Sequence, residues 1–260
     1  MSRSITLTVN SGVATLTLSQ PEIRNAFSDE TIAELLRALQ DVAERPTLRA
    51  LVLAADGPAF CAGANLHWMR QMAEYDDAQN LHDAGQLAAM LHALYTCPVP
   101  TIARIQGDVF AGGMGLVACC DMAVAVEAAQ FCLSEVKIGL VPATIAPYVL
   151  RAMGPRAGQR YFLTGERFDS AEALRLGFVH QVVAAEQLDD AVDSLLKHLL
   201  QSGPQATRAC KQLLREVNGR TIDTALMAHT VQTIARIRAS DEGKEGVQAF
   251  LGKRKPSWLS

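Results

Sequence analysis

Two stretches of small residues, FCAGANL at 60–66 and FAGGMGL at 110–116, constrain this chain more than any other feature. Each follows an apolar segment of strand character, LRALVLAA at 48–55 and PTIARIQG at 100–107, and each runs into a helical pattern. Glycine is costly inside a helix and useful where a backbone must come close to something else. The first N–H groups of a helix have no partner within it and carry partial positive charge. Two such junctions can therefore aim donors at one developing negative oxygen. Close helix packing explains the same small residues equally well, and the residues alone leave both readings open. A nucleotide-binding loop fails on spacing: Gly112, Gly113 and Gly115 fit neither G-x-G-x-x-G nor G-x-x-x-x-G-K-[ST].

The rest of the chain alternates strand and helix patterns. ITLTV and VATLTLS flank NSG and predict a hairpin, with Asn10 and Gly12 suited to its turn. Ile32, Leu35, Leu36, Leu39 and Val42 recur at helical spacing over 29–44, with Asp29 and Glu30 in the first turn, where the helix dipole favours acids. Leu87, Met90, Leu91 and Leu94 mark another helix. DMAVAV and AQFCLSE predict two short strands, and Pro142 and Pro147 punctuate a loop and a helix start. The class is α/β. From about Asp169 the patterns turn helical, with HQVV the one convincing strand. No repeat or low-complexity linker divides the chain, so it is not cut into independent domains; within it a core over 1–195 and a C-terminal helical region over 196–260 are expected.

Of the 260 residues 49% are hydrophobic, enough for a large core, and the net charge of −3 gives no general attraction to nucleic acid or an anionic membrane. No segment has the apolar run of a signal peptide or the roughly 20 apolar residues that span a bilayer. Six cysteines without C-x-x-C spacing argue against a zinc site and a disulfide scaffold. The expected setting is the cytoplasm, with no nucleic-acid or membrane partner.

NAFS, FCAGANL, IQGDVFAGGMGLVACCD, AQFCLSEVKIGLVPATIAP and RYFLTGERFDSAEALRLGFVHQVV, in this order over nearly the whole chain, resemble the enoyl-CoA hydratase/isomerase, or crotonase, family. Within it the chain resembles the bacterial 3-methylglutaconyl-CoA hydratase type, which has similar SCCDMA and CLSEVRIGL segments. The resemblance implies a spiral of ββα turns with a C-terminal helical region that builds trimers, often paired into hexamers. It implies an acyl-CoA substrate and no separate cofactor or metal. The thioester oxygen is expected on the N–H groups of Ala64 and Gly112, and Glu135 is expected to be the acid/base. Arg24, Ala26, Ala62, Asn65 and Leu66 are expected along the adenine and pantetheine path, and Lys253 near the CoA phosphates of an adjacent subunit.

Hydratases of the family commonly carry a second glutamate, where this chain has Gly115. That glycine is expected to open space beside the β-carbon, suiting a 3-branched enoyl group. One glutamate would then have to activate the water and protonate the α-carbon. The expected function is hydration of an enoyl-CoA, foremost 3-methylglutaconyl-CoA. The alternatives are a Δ3,Δ2-enoyl-CoA isomerase, for which one glutamate suffices, and an acyl-CoA binder without turnover. Without the family, Glu135 reads as a structural acid paired with Lys137 or an arginine. His67, Trp68, Met69 and Met72 are expected to wall the acyl pocket. Ser134 lacks a G-x-S-x-G elbow, and Cys119 and Cys120 suit core packing.

Overall fold

The computed structural model describes residues 4–259. A hairpin of β1 (Ile5–Asn10) and β2 (Val13–Leu18) opens it, and its two-residue turn puts Ser11 at φ 49° and Gly12 at φ 80°, the left-handed pair that matches strand twist. Helix α1 (Asp29–Glu44) starts where the Ser28 hydroxyl accepts the Thr31 N–H at 3.2 Å. It buries Ile32, Leu35, Leu39 and Val42, each side chain contributing about 1.5–3 kcal/mol.

Three strand pairs then repeat one pattern: β3 (Ala50–Ala55) with β4 (Ala59–Cys61), β5 (Thr101–Ile105) with β6 (Asp108–Phe110), and β7 (Met122–Val126) with β8 (Gln130–Cys132). The first member of each pair joins a six-stranded sheet ordered β1-β2-β3-β5-β7-β10, parallel except at the hairpin. The second joins a four-stranded sheet ordered β4-β6-β8-β9, in which only the β8–β9 pair is antiparallel. All six residues of β3 are buried, as a central parallel strand covered on both faces requires. Helices α2 (Leu66–Met72) and α3 (Asp77–Tyr95) follow β4, and α4 (Gly112–Cys119) follows β6. Helix α5 (Ala146–Thr164) follows β8 and is broken at Gly154, φ 79°, because Pro155 disfavours helical backbone in the residue before it. The chain is thus a spiral of ββα turns. Strands β9 (Arg167–Asp169) and β10 (Gln181–Val183) complete the sheets around α6 (Ser170–Arg175).

Helix α7 (Leu188–Gln201) runs unbroken through residues 195 and 196 and packs on β3, β5 and β7. Beyond it lie α8 (Pro204–Val217), α9 (Thr224–Ala239) and α10 (Asp241–Leu251). A row of cations on α8 stitches it to the core. Arg208 donates to the Leu48 carbonyl at 2.9 Å, Arg215 to the Tyr95 carbonyl at 3.0 Å, and Lys211 to the Val99 carbonyl at 2.9 Å. Lys211, 6% exposed, also pairs with Asp121 at 2.6 Å, and the same Asp121 oxygen accepts the Thr101 N–H at 2.7 Å. On α9 and α10, by contrast, Met227, Val231, Ile234, Val247, Phe250 and Leu251 stand exposed. No helix among the described residues is long and apolar enough to cross a membrane.

Candidate active site

The two small-residue loops leave the same ends of neighbouring strands and meet. Gly63 lies at φ +94°, and a Cβ there would come within 2.9 Å of the Ala111 Cβ and 3.5 Å of the Phe110 carbonyl oxygen. Only glycine permits both this backbone and this approach. Ala62 donates its N–H to the Arg24 carbonyl at 3.0 Å, Phe27 donates to Gly63 at 2.7 Å, and Asn65 donates to Phe27 at 2.6 Å. These bonds form a parallel bridge between Phe27 and Ala64. With Gly63 and Asn65 turned toward Phe27, the Ala64 N–H points the other way, as strand alternation demands. Asn65 then caps α2, its Oδ1 accepting the His67 N–H at 2.7 Å.

The second loop turns at Ala111, which holds φ 48° and ψ −118°, a backbone that costs a non-glycine residue about 1–3 kcal/mol. The Ala111 N–H donates to the Cys132 carbonyl at 2.9 Å, which ties the turn to β8. Gly112 follows as the first residue of α4. Among the described residues, neither the Ala64 nor the Gly112 N–H has an acceptor in the protein. Two partnerless donors thus stand on adjoining loops, one of them backed by a helix dipole.

Glu135 begins the 3-10 turn Glu135–Ile138, three residues beyond the Cys132 carbonyl that anchors Ala111. Its Oε2 is buried without a hydrogen-bond partner among the described residues. Burial raises its pKa above the ordinary 4.5, and its own backbone N–H offsets this in part. The ion pairs among the described residues do not include Glu135, so the pairing with Lys137 or an arginine that the bare sequence suggests is not formed. A carboxyl held above its ordinary value binds its proton more tightly than an exposed one and is the stronger base when ionised. Cys61, beside both loops, is no rival as a nucleophile, since burial pushes its thiol up to about 12.

Gly115 differs from expectation. It is buried on α4, and the space its missing side chain leaves is already filled: a Cβ there would overlap Ile145 Cγ2 and sit 3.3 Å from Leu91 Cδ2. The glycine accommodates the residue preceding α5 and opens no free volume toward a ligand.

Arg24 and Asn25 both hold positive φ, 56° and 54°, where the chain enters the bridge. The Arg24 guanidinium is half exposed and pairs with Asp108 at 2.9 Å. Ala26 is buried, Ala62 and Asn65 are half-buried beside the bridge, and Leu66 is 71% exposed at the start of α2. Lys253 lies just beyond α10, which packs on α8 and α9, so within one chain it is not gathered with the other candidates. Of the expected pocket wall, His67 is exposed, whereas Trp68 is buried and donates to Asp83 at 3.1 Å, tying α2 to α3. Two residues stand out that the sequence had marked only as part of NAFS. Asn25 is 3% exposed and donates to the carbonyls of Asp56 and Ala59 at 2.8 and 2.9 Å, and Phe27 touches both loops. Among the described residues no three His, Cys, Asp or Glu side chains gather to hold a metal.

Comparisons with known proteins agree over nearly the whole length. The family model described as enoyl-CoA hydratase/isomerase matches residues 8–260. The structure of an enoyl-CoA hydratase from Shewanella pealeana superposes with a TM-score of 0.95 at 44% identity, covering 98% of this chain and 96% of that one. An enoyl-CoA hydratase of Alternaria alternata is 34% identical over 249 residues, 95% of this chain and 81% of that protein. An enoyl-CoA isomerase/hydratase of Mycosarcoma maydis is 30% identical over 256 residues, 94% of this chain and 92% of the relative.

Proposed function

We propose, for a chain that belongs to the enoyl-CoA hydratase/isomerase family, that it adds water across the α,β double bond of an acyl-CoA thioester, foremost 3-methylglutaconyl-CoA. The observation that carries this reading is that two backbone donors without acceptors stand on adjoining loops, while the Oε2 of Glu135, three residues beyond the strand end that anchors the second loop, is buried without a hydrogen-bond partner among the described residues. In the proposed reaction Glu135 removes a proton from water as its oxygen bonds to the β-carbon. The π electrons move to the thioester oxygen, where the Ala64 and Gly112 N–H groups hold the enolate. The carboxyl then returns the proton to the α-carbon, so that the sum is addition of one water. A donor of this kind typically accounts for about 10² to 10³ in rate. The chemistry asks for no cofactor beyond the CoA that the substrate carries.

Arg24, Ala26, Ala62, Asn65 and Leu66 are assigned to the CoA path, supported by their sequence alongside the Phe27–Ala64 bridge. The exposed apolar side chains of α9 and α10 support self-association through residues 196–260, as a trimer or a pair of trimers, with Lys253 offered to a neighbouring subunit. Six free cysteines suit a reducing compartment such as the cytoplasm.

A Δ3,Δ2-enoyl-CoA isomerase is the second reading, favoured by the filling of the Gly115 side-chain space with Ile145, which leaves Glu135 as the one acid assigned here. Such an enzyme moves one proton between the α- and γ-carbons and needs no water. The deciding experiment follows the enoyl-thioester absorbance with 3-methylglutaconyl-CoA and crotonyl-CoA, each with wild type and Glu135→Gln. Loss of absorbance with the branched substrate, reduced by about 10² to 10⁴ in the variant, is expected. No change with either, together with a rise on a 3-enoyl-CoA, would establish the isomerase instead.

A further inference from the structure

The short segment from Arg24 to Ser28 runs under both donor loops, and a single residue in it touches the two. Through its main chain Phe27 accepts the Asn65 N–H at 2.6 Å and donates to the Gly63 carbonyl at 2.7 Å, so it sets the direction of the Ala64 N–H between them. Its ring does the corresponding work on the other loop. A Cβ on Gly112 would come within 2.7 Å of Phe27 Cε2 and 3.0 Å of Cδ2, which means that the ring lies directly against the Gly112 α-carbon.

The ring is 2% exposed and has no polar atom, so it can act only by shape. A flat, stiff side chain pressed on the first residue of α4 limits how far that peptide can tilt. The segment that carries it is itself held on both sides. Asn25 is bonded to the Asp56 and Ala59 carbonyls and to the Gln20 N–H, and Ser28 caps α1. The Phe27 backbone and ring therefore form one rigid spacer between two donors that lie 48 residues apart in the chain.

We propose that Phe27 is the positioning residue of the site, fixing the Ala64 and Gly112 N–H groups relative to one another. This rests on the reading that those groups polarise a thioester carbonyl. The two halves of the spacer respond differently to substitution. Main-chain bonds to Gly63 and Asn65 survive replacement by any residue that keeps its N–H, whereas the backing of Gly112 is lost with the ring. Phe27→Ala therefore loosens one donor of the pair and spares the other.

The test binds butyryl-CoA, labelled with ¹³C at the thioester carbonyl, and records the carbonyl stretch by infrared difference spectroscopy, alongside kcat and KM for an enoyl-CoA. Wild type is expected to lower the stretch relative to free thioester. Phe27→Ala should lose about half of that lowering and about 10- to 100-fold in kcat, with KM changed by less than about threefold, and Phe27→Leu should recover most of both. Should Phe27→Ala fail to fold, Gly112→Ala presses the same contact from the other side. It should give the same weakened stretch, partly restored by Phe27→Leu in the same chain. An undiminished stretch and unchanged kcat in folded Phe27→Ala would overturn the assignment and leave the oxyanion reading standing. A wild type that does not shift the carbonyl at all would overturn the oxyanion reading first, and Phe27's role with it.

Discussion

The loops around Gly63 and Gly112 and the helix α8 both join segments far apart in the chain, but with different materials. At the loops the joints are backbone to backbone: Phe27 to Gly63, Asn65 to Phe27, Ala111 to Cys132, with glycine wherever a Cβ would collide. At α8 the joints are long cationic side chains reaching to carbonyls of Leu48, Tyr95 and Val99 and to Asp121. Main-chain joints place atoms with little freedom, which suits donors that must meet an oxygen to within a few tenths of an ångström. Side-chain joints tolerate adjustment, and a helix that only has to stay docked can use them. Precision is thus concentrated where the chemistry is proposed, and adhesion where it is not.

The sharpest way to break this contrast is Gly63→Ala. Its Cβ would meet Ala111 Cβ at 2.9 Å from a backbone at φ +94°, so the loops must separate. A loss of about 10² to 10³ in kcat is expected from one misplaced donor, well beyond what the fall in folded fraction explains. A Gly63→Ala protein with full kcat per folded molecule would show that the approach of the loops is packing alone.

Lys211→Met probes the other region. It leaves Asp121 with Thr101 alone and the Val99 carbonyl without its ammonium partner, and it should cost about 3 kcal/mol in denaturant unfolding, the lower end for a broken buried pair because Asp121 is one-third exposed. The kcat per folded molecule should stay within about twofold of wild type. A large kcat loss without destabilisation would erase the distinction between the two regions.

The smallest effect expected concerns Glu135 and pH. Burial raises its folded pKa above 4.5, so the folded state binds this proton more tightly than the unfolded chain. The associated stabilisation is complete below the unfolded value and is lost as pH rises through the folded one. Glu135→Gln, which cannot ionise, should therefore gain in Tm relative to wild type above that pKa and match it more closely in acid. A gain of the same size at every pH would mean that the carboxyl is not held above its ordinary value.

Much of the scaffold is legible in the sequence. The α1 boundary at Asp29 follows from two acids and a 3.6-residue apolar period, to which the structure adds the Ser28 cap, and the hairpin turn follows from NSG between alternating strands. The strands β4, β6 and β9, three residues each, were not legible, although the equally short β8 and β10 were read from AQFCLSE and HQVV: a strand this short shows no period of two and is marked only by its flanking residues. The burial of Lys211 had no signal in the sequence, because it depends on Asp121, Val99 and Thr101, none of them near it in the chain. Gly115 was misjudged for the same kind of reason, since the side chain that fills its space comes from Ile145, 30 residues on.

What the sequence determined by itself was local: where the longer strands and several of the helices run, where NSG turns the first hairpin, and which small-residue loops lead into helix starts. Such features depend on residues within a few positions of one another. The tertiary structure alone decided that Gly63 touches Ala111, that Phe27 backs Gly112, that the Oε2 of Glu135 is buried without a hydrogen-bond partner among the described residues and that Ile145 stands beside Gly115. Contact and burial are properties of segments brought together across the chain, and no spacing along one segment encodes what the next one will lay against it.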